Sequence, residues 1–152
     1  MTLMDNNKTG SAWNRILLVA ASLAALLVTS TAGAAVAGSE GQTFSLYAEE
    51  GYISVADGGS IYSWGYTDTG TMQLPGPTLI VTEGVEVSVT LTNNLPVAAG
   101  NVSIVFPGQD VTAVAGTGVP GDLVQEAQTG GSVTYTFTPQ VPGTYQYHSG
   151  SQ

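Results

Sequence analysis

The chain contains no cysteine. It therefore forms no disulfide, holds no zinc or copper through a thiolate, and performs no cysteine-nucleophile chemistry. Basic residues are nearly absent as well. Lys8 and Arg15 are the only two, against eleven Asp and Glu, and the formal net charge is −9. Every acid except Asp5 lies in residues 38–152, where there is no Lys or Arg. Such a segment repels phosphate backbones, which argues against nucleic acid as a partner, and it has no guanidinium to clamp an anionic substrate. His148 is the single histidine. Long apolar runs are missing too. "ILLVAASLAALLV", from Ile16 to Val28, falls short of the ~20 residues that a spanning helix needs.

What is present at the N-terminus reads as an address. Lys8 and Arg15 precede the apolar run, the small residues "TSTAGAAVAG" follow it, and Ala35-Val36-Ala37 fits an A-x-A cleavage site. The expectation is a signal peptide over residues 1–37 with a helical apolar part, cleaved after Ala37. The remainder would be exported, to a periplasm or outside the cell, with no membrane attachment after cleavage.

Residues 38–152 lack the 3.6-residue apolar period of a helix and are rich in period-2 stretches. In "VEVSVTLTN", Val85, Val87, Val89 and Leu91 face one way and Glu86, Ser88, Thr90 and Thr92 the other. "SVTYTFT" repeats this with Val133, Tyr135 and Phe137, and "NVSIVF" with Val102, Ile104 and Phe106. "TFSLYA", "YISVA", "SIYSWGY" and "TLIV" read as further strands. Turn chemistry separates them at "ADGGS", "TEG", "TNNLP" and "VPGT". Many short strands at this spacing predict an all-β, Greek-key antiparallel β-sandwich of a single domain. The alternating Tyr62, Trp64 and Tyr66 are expected to face its core rather than to form a binding stripe.

The order of these motifs resembles the N-terminal cupredoxin domain of the multicopper oxidase family. "LPGPTLIVTEGVEVSVTLTNNLP" (Leu74 to Pro96) is similar to that domain's opening, "GYISVADGGSIYSWGYTDTG" to its lead-in hairpin, and "GGSVTYTFTPQVPGTYQYHSG" to its later Y-H-S-H stretch. The resemblance covers most of residues 43–150 and implies a cupredoxin-like sandwich over 38–152. It also implies a missing final strand, so that the chain is expected to be a C-terminally truncated fragment.

The resemblance further implies two H-x-H pairs on neighbouring strands, where residues i and i+2 share a face and four imidazoles can meet copper. Here Val105 and Pro107 stand at the first pair, His148 at the start of the second, and Gly150 at its end. His148 thus matches a ligand position whose three partners are replaced. Parity sets it on the Gln146 face, opposite Tyr145 and Tyr147. A cysteine-containing electron-transfer copper is excluded, and the lone Met72 does not supply another donor set.

Other acids read as ordinary surface groups. Glu49 and Glu50 are neighbours and point apart, Glu83 and Glu86 are solvated, and Asp57 and Asp68 sit in Gly-rich turns as caps. Ser103 and Ser149 lack a nucleophile elbow. The expectation is therefore an exported, structural domain of a multicopper-oxidase-like protein with a degenerate copper site and no independent activity. Copper would belong to the full-length protein and not to this chain alone, and the partners would be further cupredoxin domains in the same polypeptide or oligomer. The competing expectation is a non-enzymatic exported binding or cell-surface module.

Overall fold

The computed structural model describes residues 38–151. The expected signal peptide and its helix lie outside the described residues, as does Gln152. Within them the chain is all-β, with strands β1 Ser39–Glu40, β2 Thr43–Ser54, β3 Ser60–Thr67, β4 Leu79–Ile80, β5 Val87–Asn93, β6 Ile104–Val105, β7 Thr112–Ala113, β8 Val119–Pro120, β9 Gln125–Glu126, β10 Ser132–Phe137 and β11 His148–Ser149. A 3-10 turn at Val97–Ala99 is the one helical element among them.

One layer is a five-stranded sheet in the order β3-β2-β5-β10-β7. Period-2 alternation places its apolar side chains in rows. Phe44, Val89 and Tyr135 are in register, as are Leu46, Leu91 and Val133. All are buried, and Val102, Ile104, Phe106 and Ala127 from the facing segments complete the core. The outer face carries hydroxyl pairs instead, Thr90 with Thr134 at 3.0 Å and Thr92 with Ser132 at 3.1 Å. Two pairings depart from the antiparallel expectation, and the one inside this sheet is β2 with β5, which run parallel. β3 occupies the outer edge, so the chain leaves the sheet after β3, passes through β4, and re-enters beside β2 in the same sense. β4 itself pairs in parallel with β1.

Three local expectations change. "TFSLYA" and the first half of "YISVA" are one continuous strand, β2, because its ladder with β3 runs unbroken from Tyr47 to Ser54 and pairs Gly51 with Ser63. Val85 is exposed rather than buried, since β5 begins only at Val87. Tyr62 and Trp64 are about half exposed while Tyr66 packs on the core. Their parity is as expected, but β2 and β3 extend past the layer that would cover them. The hairpin between them closes at 55–59, where Gly58 adopts φ +84 and Asp57 Oδ1 accepts the Gly59 N–H at 3.0 Å.

Candidate functional site

The two segments matched to H-x-H pairs come together. β6 and β11 form an antiparallel ladder in which His148 faces Val105 and Ser149 faces Ile104. His148 is exposed, and its Nδ1 lies 2.8 Å from the Ser149 carbonyl oxygen. Val105 is half-buried beside it and Pro107 is exposed. A Cβ on Gly150 would lie 2.7 Å from Val105 Cγ1 and 3.1 Å from Ser103 Oγ. Val105 therefore fills the space that a side chain at 150 would enter. Gly150→Ala is expected to cost about 1–3 kcal/mol through this overlap. Val105→Ala in the same chain should return about 1 kcal/mol of it as a coupling energy. Urea unfolding of the two single variants and the double variant measures this, and strict additivity would refute the contact.

Between Val105 and Pro107, Phe106 points the other way, into an aromatic cluster. Its ring centroid lies 4.9 Å from Phe137, 6.0 Å from Tyr147 and 6.2 Å from Tyr135. The tyrosines of this cluster bind backbone. Tyr66 donates to Ser103 O at 2.6 Å, Tyr147 to Pro77 O at 2.6 Å and Tyr135 to Gln125 O at 2.5 Å. Each hydroxyl thus ties its segment to the backbone of another: Ser103 before β6, Pro77 before β4 and Gln125 of β9. Tyr147 faces inward as parity requires, but Tyr145 is exposed and donates to Val141 O at 3.0 Å. The segment 141–147 is not in a ladder, so strict alternation lapses there.

Burial pushes the Tyr135 and Tyr147 phenols up to about 12. A phenol whose folded pKa lies above its unfolded value keeps its proton in the fold after the unfolded chain has lost it. That stability is complete below pH ~10 and is lost as pH rises through about 12. Urea midpoints should therefore fall over this window, and less steeply in Tyr147→Phe. A flat profile would contradict it.

The remaining candidates are engaged individually. Glu49 accepts the Asn94 amide at 2.6 Å and Glu50 the Tyr62 hydroxyl at 2.5 Å, on opposite faces of β2. Asp68 accepts from Ser39 Oγ. Glu83 and Glu86 are exposed. Ser103 Oγ is 2.9 Å from Ser151 Oγ, which donates to Glu126 Oε1 at 2.9 Å. Among the described residues, no three His, Cys, Asp or Glu side chains converge as a metal-binding group. Sequence reasoning missed the Trp64–Tyr62–Glu50 hydrogen-bond chain, whose signal is the cross-strand pairing of Glu50 with Trp64 and of Tyr52 with Tyr62. An open groove is lined by Leu79 and Val81 together with Phe106, Phe137 and Tyr147 of the aromatic cluster.

Residues 53–152 match a family model described as multicopper oxidase. Laccase abr2 of Aspergillus fumigatus is 38% identical over 78 residues, 51% of this chain and 13% of that protein. Multicopper oxidase MCE of Talaromyces pinophilus is 35% identical over 81 residues, 53% of this chain and 13% of that protein. The matched stretch thus spans a small part of these relatives' length. Among solved structures, copper nitrite reductase from Nitrosomonas europaea aligns with a TM-score of 0.55 at 26% identity, over 74% of this chain and 35% of that one. A multicopper oxidase from Campylobacter jejuni aligns with a TM-score of 0.51 at 24% identity, over 72% and 21% respectively.

Proposed function

This chain belongs to the multicopper oxidase family and has its cupredoxin-like fold, and on that premise we propose that it is an exported, structural domain of a copper-dependent oxidoreductase whose own cluster positions have lost their donors. The β6–β11 ladder carries this reading. The positions at which the family resemblance puts imidazoles lie on or beside one ladder, and they hold Val105, Pro107, His148 and Gly150. Copper sites combine several nitrogen or sulfur donors. One imidazole, two side chains without a donor and a glycine hemmed in by Val105 do not fit a copper cluster. No step of oxygen reduction is assigned to these residues.

In this reading the oxidation chemistry belongs to a longer protein, and the partners are further cupredoxin domains of the same polypeptide or oligomer. The apolar groove beside Phe106 supports such a contact. The A-x-A site and the apolar run before it support export. No helix among the described residues is long and apolar enough to cross a membrane. His148 is the one metal donor left at the ladder. With Nδ1 protonated and bonded to the Ser149 carbonyl, Nε2 carries the free lone pair. It could thus serve a mononuclear copper completed by another domain.

Copper titration of the chain followed by dialysis, and copper analysis of the intact protein, test both parts. The expected result is no copper retained by the chain alone, and in the intact protein a copper content lowered by His148→Ala. Tight retention of a multi-copper cluster would overturn the degenerate-site reading. Copper content of the intact protein unchanged by His148→Ala would remove the ligand role.

A further inference from the structure

One face of the β2–β3 hairpin is left exposed over part of its length. Where the opposing layer reaches, this face consists of Phe44, Leu46, Ala48 and Tyr66 packed in or on the core. Further along, the same parity brings Glu50, Tyr52, Tyr62 and Trp64 to the surface. Tyr52 is 72% exposed, Trp64 50% and Tyr62 47%. Large aromatic side chains grouped on one projecting sheet face mark an interaction site more often than solvent-facing decoration.

Their arrangement is held in advance. Tyr52 and Tyr62 sit directly opposite each other, with ring centroids 5.6 Å apart and planes tilted by 59°. Trp64 Nε1–H donates to the Tyr62 hydroxyl at 3.0 Å, and that hydroxyl donates to Glu50 Oε2 at 2.5 Å. The chain of bonds ties the rings to a carboxylate and lowers the entropy that a ligand would otherwise lose in ordering them. On the reverse face Met72 packs against Gly51 and Gly65, which backs this part of the hairpin.

The chemistry selects the sign of the partner. Aromatic faces are negative and attract cations. Glu50 adds a full negative charge at their edge, and residues 38–152 contain ten acids with no Lys or Arg to pair with it. An anionic partner would be repelled. A purely apolar one would bury the Glu50 carboxylate without a counter-charge, which is strongly unfavourable. We propose that the exposed face of the β2–β3 hairpin docks a basic segment of a partner protein, with an arginine or lysine side chain lying over Trp64 and Tyr62 and its charge paired with Glu50. Arginine suits the site best, because its planar group stacks on rings and bonds a carboxylate at the same time.

Trp64 reports on its own occupancy. Only Trp13 and Trp64 are present, so Trp13→Phe leaves one tryptophan in the full chain. Titration of that chain with a short arginine–glycine peptide should change Trp64 emission saturably, whereas the glutamine–glycine analogue should not. Glu50→Gln and Tyr52→Ala should each weaken the affinity by about 5-fold or more, and calorimetry on Trp64→Ala should show a comparable loss. These positions are exposed, and unchanged urea midpoints would confirm that the variants are folded. Equal binding of the glutamine peptide would overturn the proposal. Arginine-peptide binding that is insensitive to all three substitutions would also overturn it, leaving only diffuse attraction to an acidic surface.

Discussion

Asn93→Ala is expected to destabilise the domain by about 3–5 kcal/mol, a large share of the roughly 5–15 kcal/mol that holds a domain of this kind together. Asn93 ends β5 and is fully buried. Its Nδ2 donates to Gly100 O at 3.0 Å and to Ala127 O at 3.1 Å, and its Oδ1 accepts the Leu95 N–H at 3.1 Å. Its backbone N–H donates to Gly131 O and its carbonyl accepts from Gly130 N–H. One side chain thus joins the end of β5 to the exit of the 3-10 turn and to the loop before β10. Truncation leaves the buried Leu95 N–H unpaired, worth about 1–3 kcal/mol, and removes one bond of about 1 kcal/mol from each of two carbonyls, of which Ala127 O keeps the Val102 N–H and Gly100 O keeps the Thr129 hydroxyl.

Asn93→Asp distinguishes hydrogen bonding from packing. It keeps the shape and the Leu95 bond, but it sets carboxylate oxygens against the Gly100 and Ala127 carbonyls and buries a charge. Its loss should equal or exceed that of the alanine variant. The readout is the urea midpoint with the slope of the transition checked for constancy. A loss below about 1 kcal/mol for both variants would mean that these bonds are easily replaced by water.

Phe106→Ala is expected to cost about 3–5 kcal/mol, the range for deleting a buried aromatic. The ring touches Phe137, Tyr135 and Tyr147 and lies between the two outward-facing positions Val105 and Pro107. Its removal opens a cavity at the centre of the cluster that anchors β6. Because β11 pairs with β6 through only His148 and Ser149, their amide protons should exchange faster in the variant than in the parent chain. Phe106→Leu, which refills most of the volume, should cost less than about 1.5 kcal/mol. Pairwise coupling of Phe106 with Phe137 should be about 0.5–1.5 kcal/mol in a double-mutant cycle. A loss below about 1 kcal/mol for the alanine variant, with unchanged exchange at β11, would show that the ladder does not depend on the aromatic cluster.

Much of the candidate site was legible because a strand's alternation is local. The motif order placed His148 and Val105 on neighbouring strands, and the register pairs them directly. The hydroxyl-rich outer face of β5 and β10 and the apolar inner face follow from the same rule. Asn93 was not legible as a clasp. In "TNNLP" it reads as a turn residue, and its two carbonyl partners lie 7 and 34 positions further along the chain. Nothing in its neighbours marks it as buried.

Composition and alternation set the β architecture, the absence of thiolate chemistry, the absence of Lys and Arg from residues 38–152, and which side chains share a face of each strand. These depend on composition and on a two-residue period that no distant contact alters. Which of those faces is covered follows only from how the layers pack. Val87 and Val89 are buried while Val85, of equal parity, is not. Tyr66 meets the core, but Trp64 and Tyr62 continue past its edge. Coverage depends on how far the opposing layer reaches, and that reach is set by contacts between residues remote in the chain.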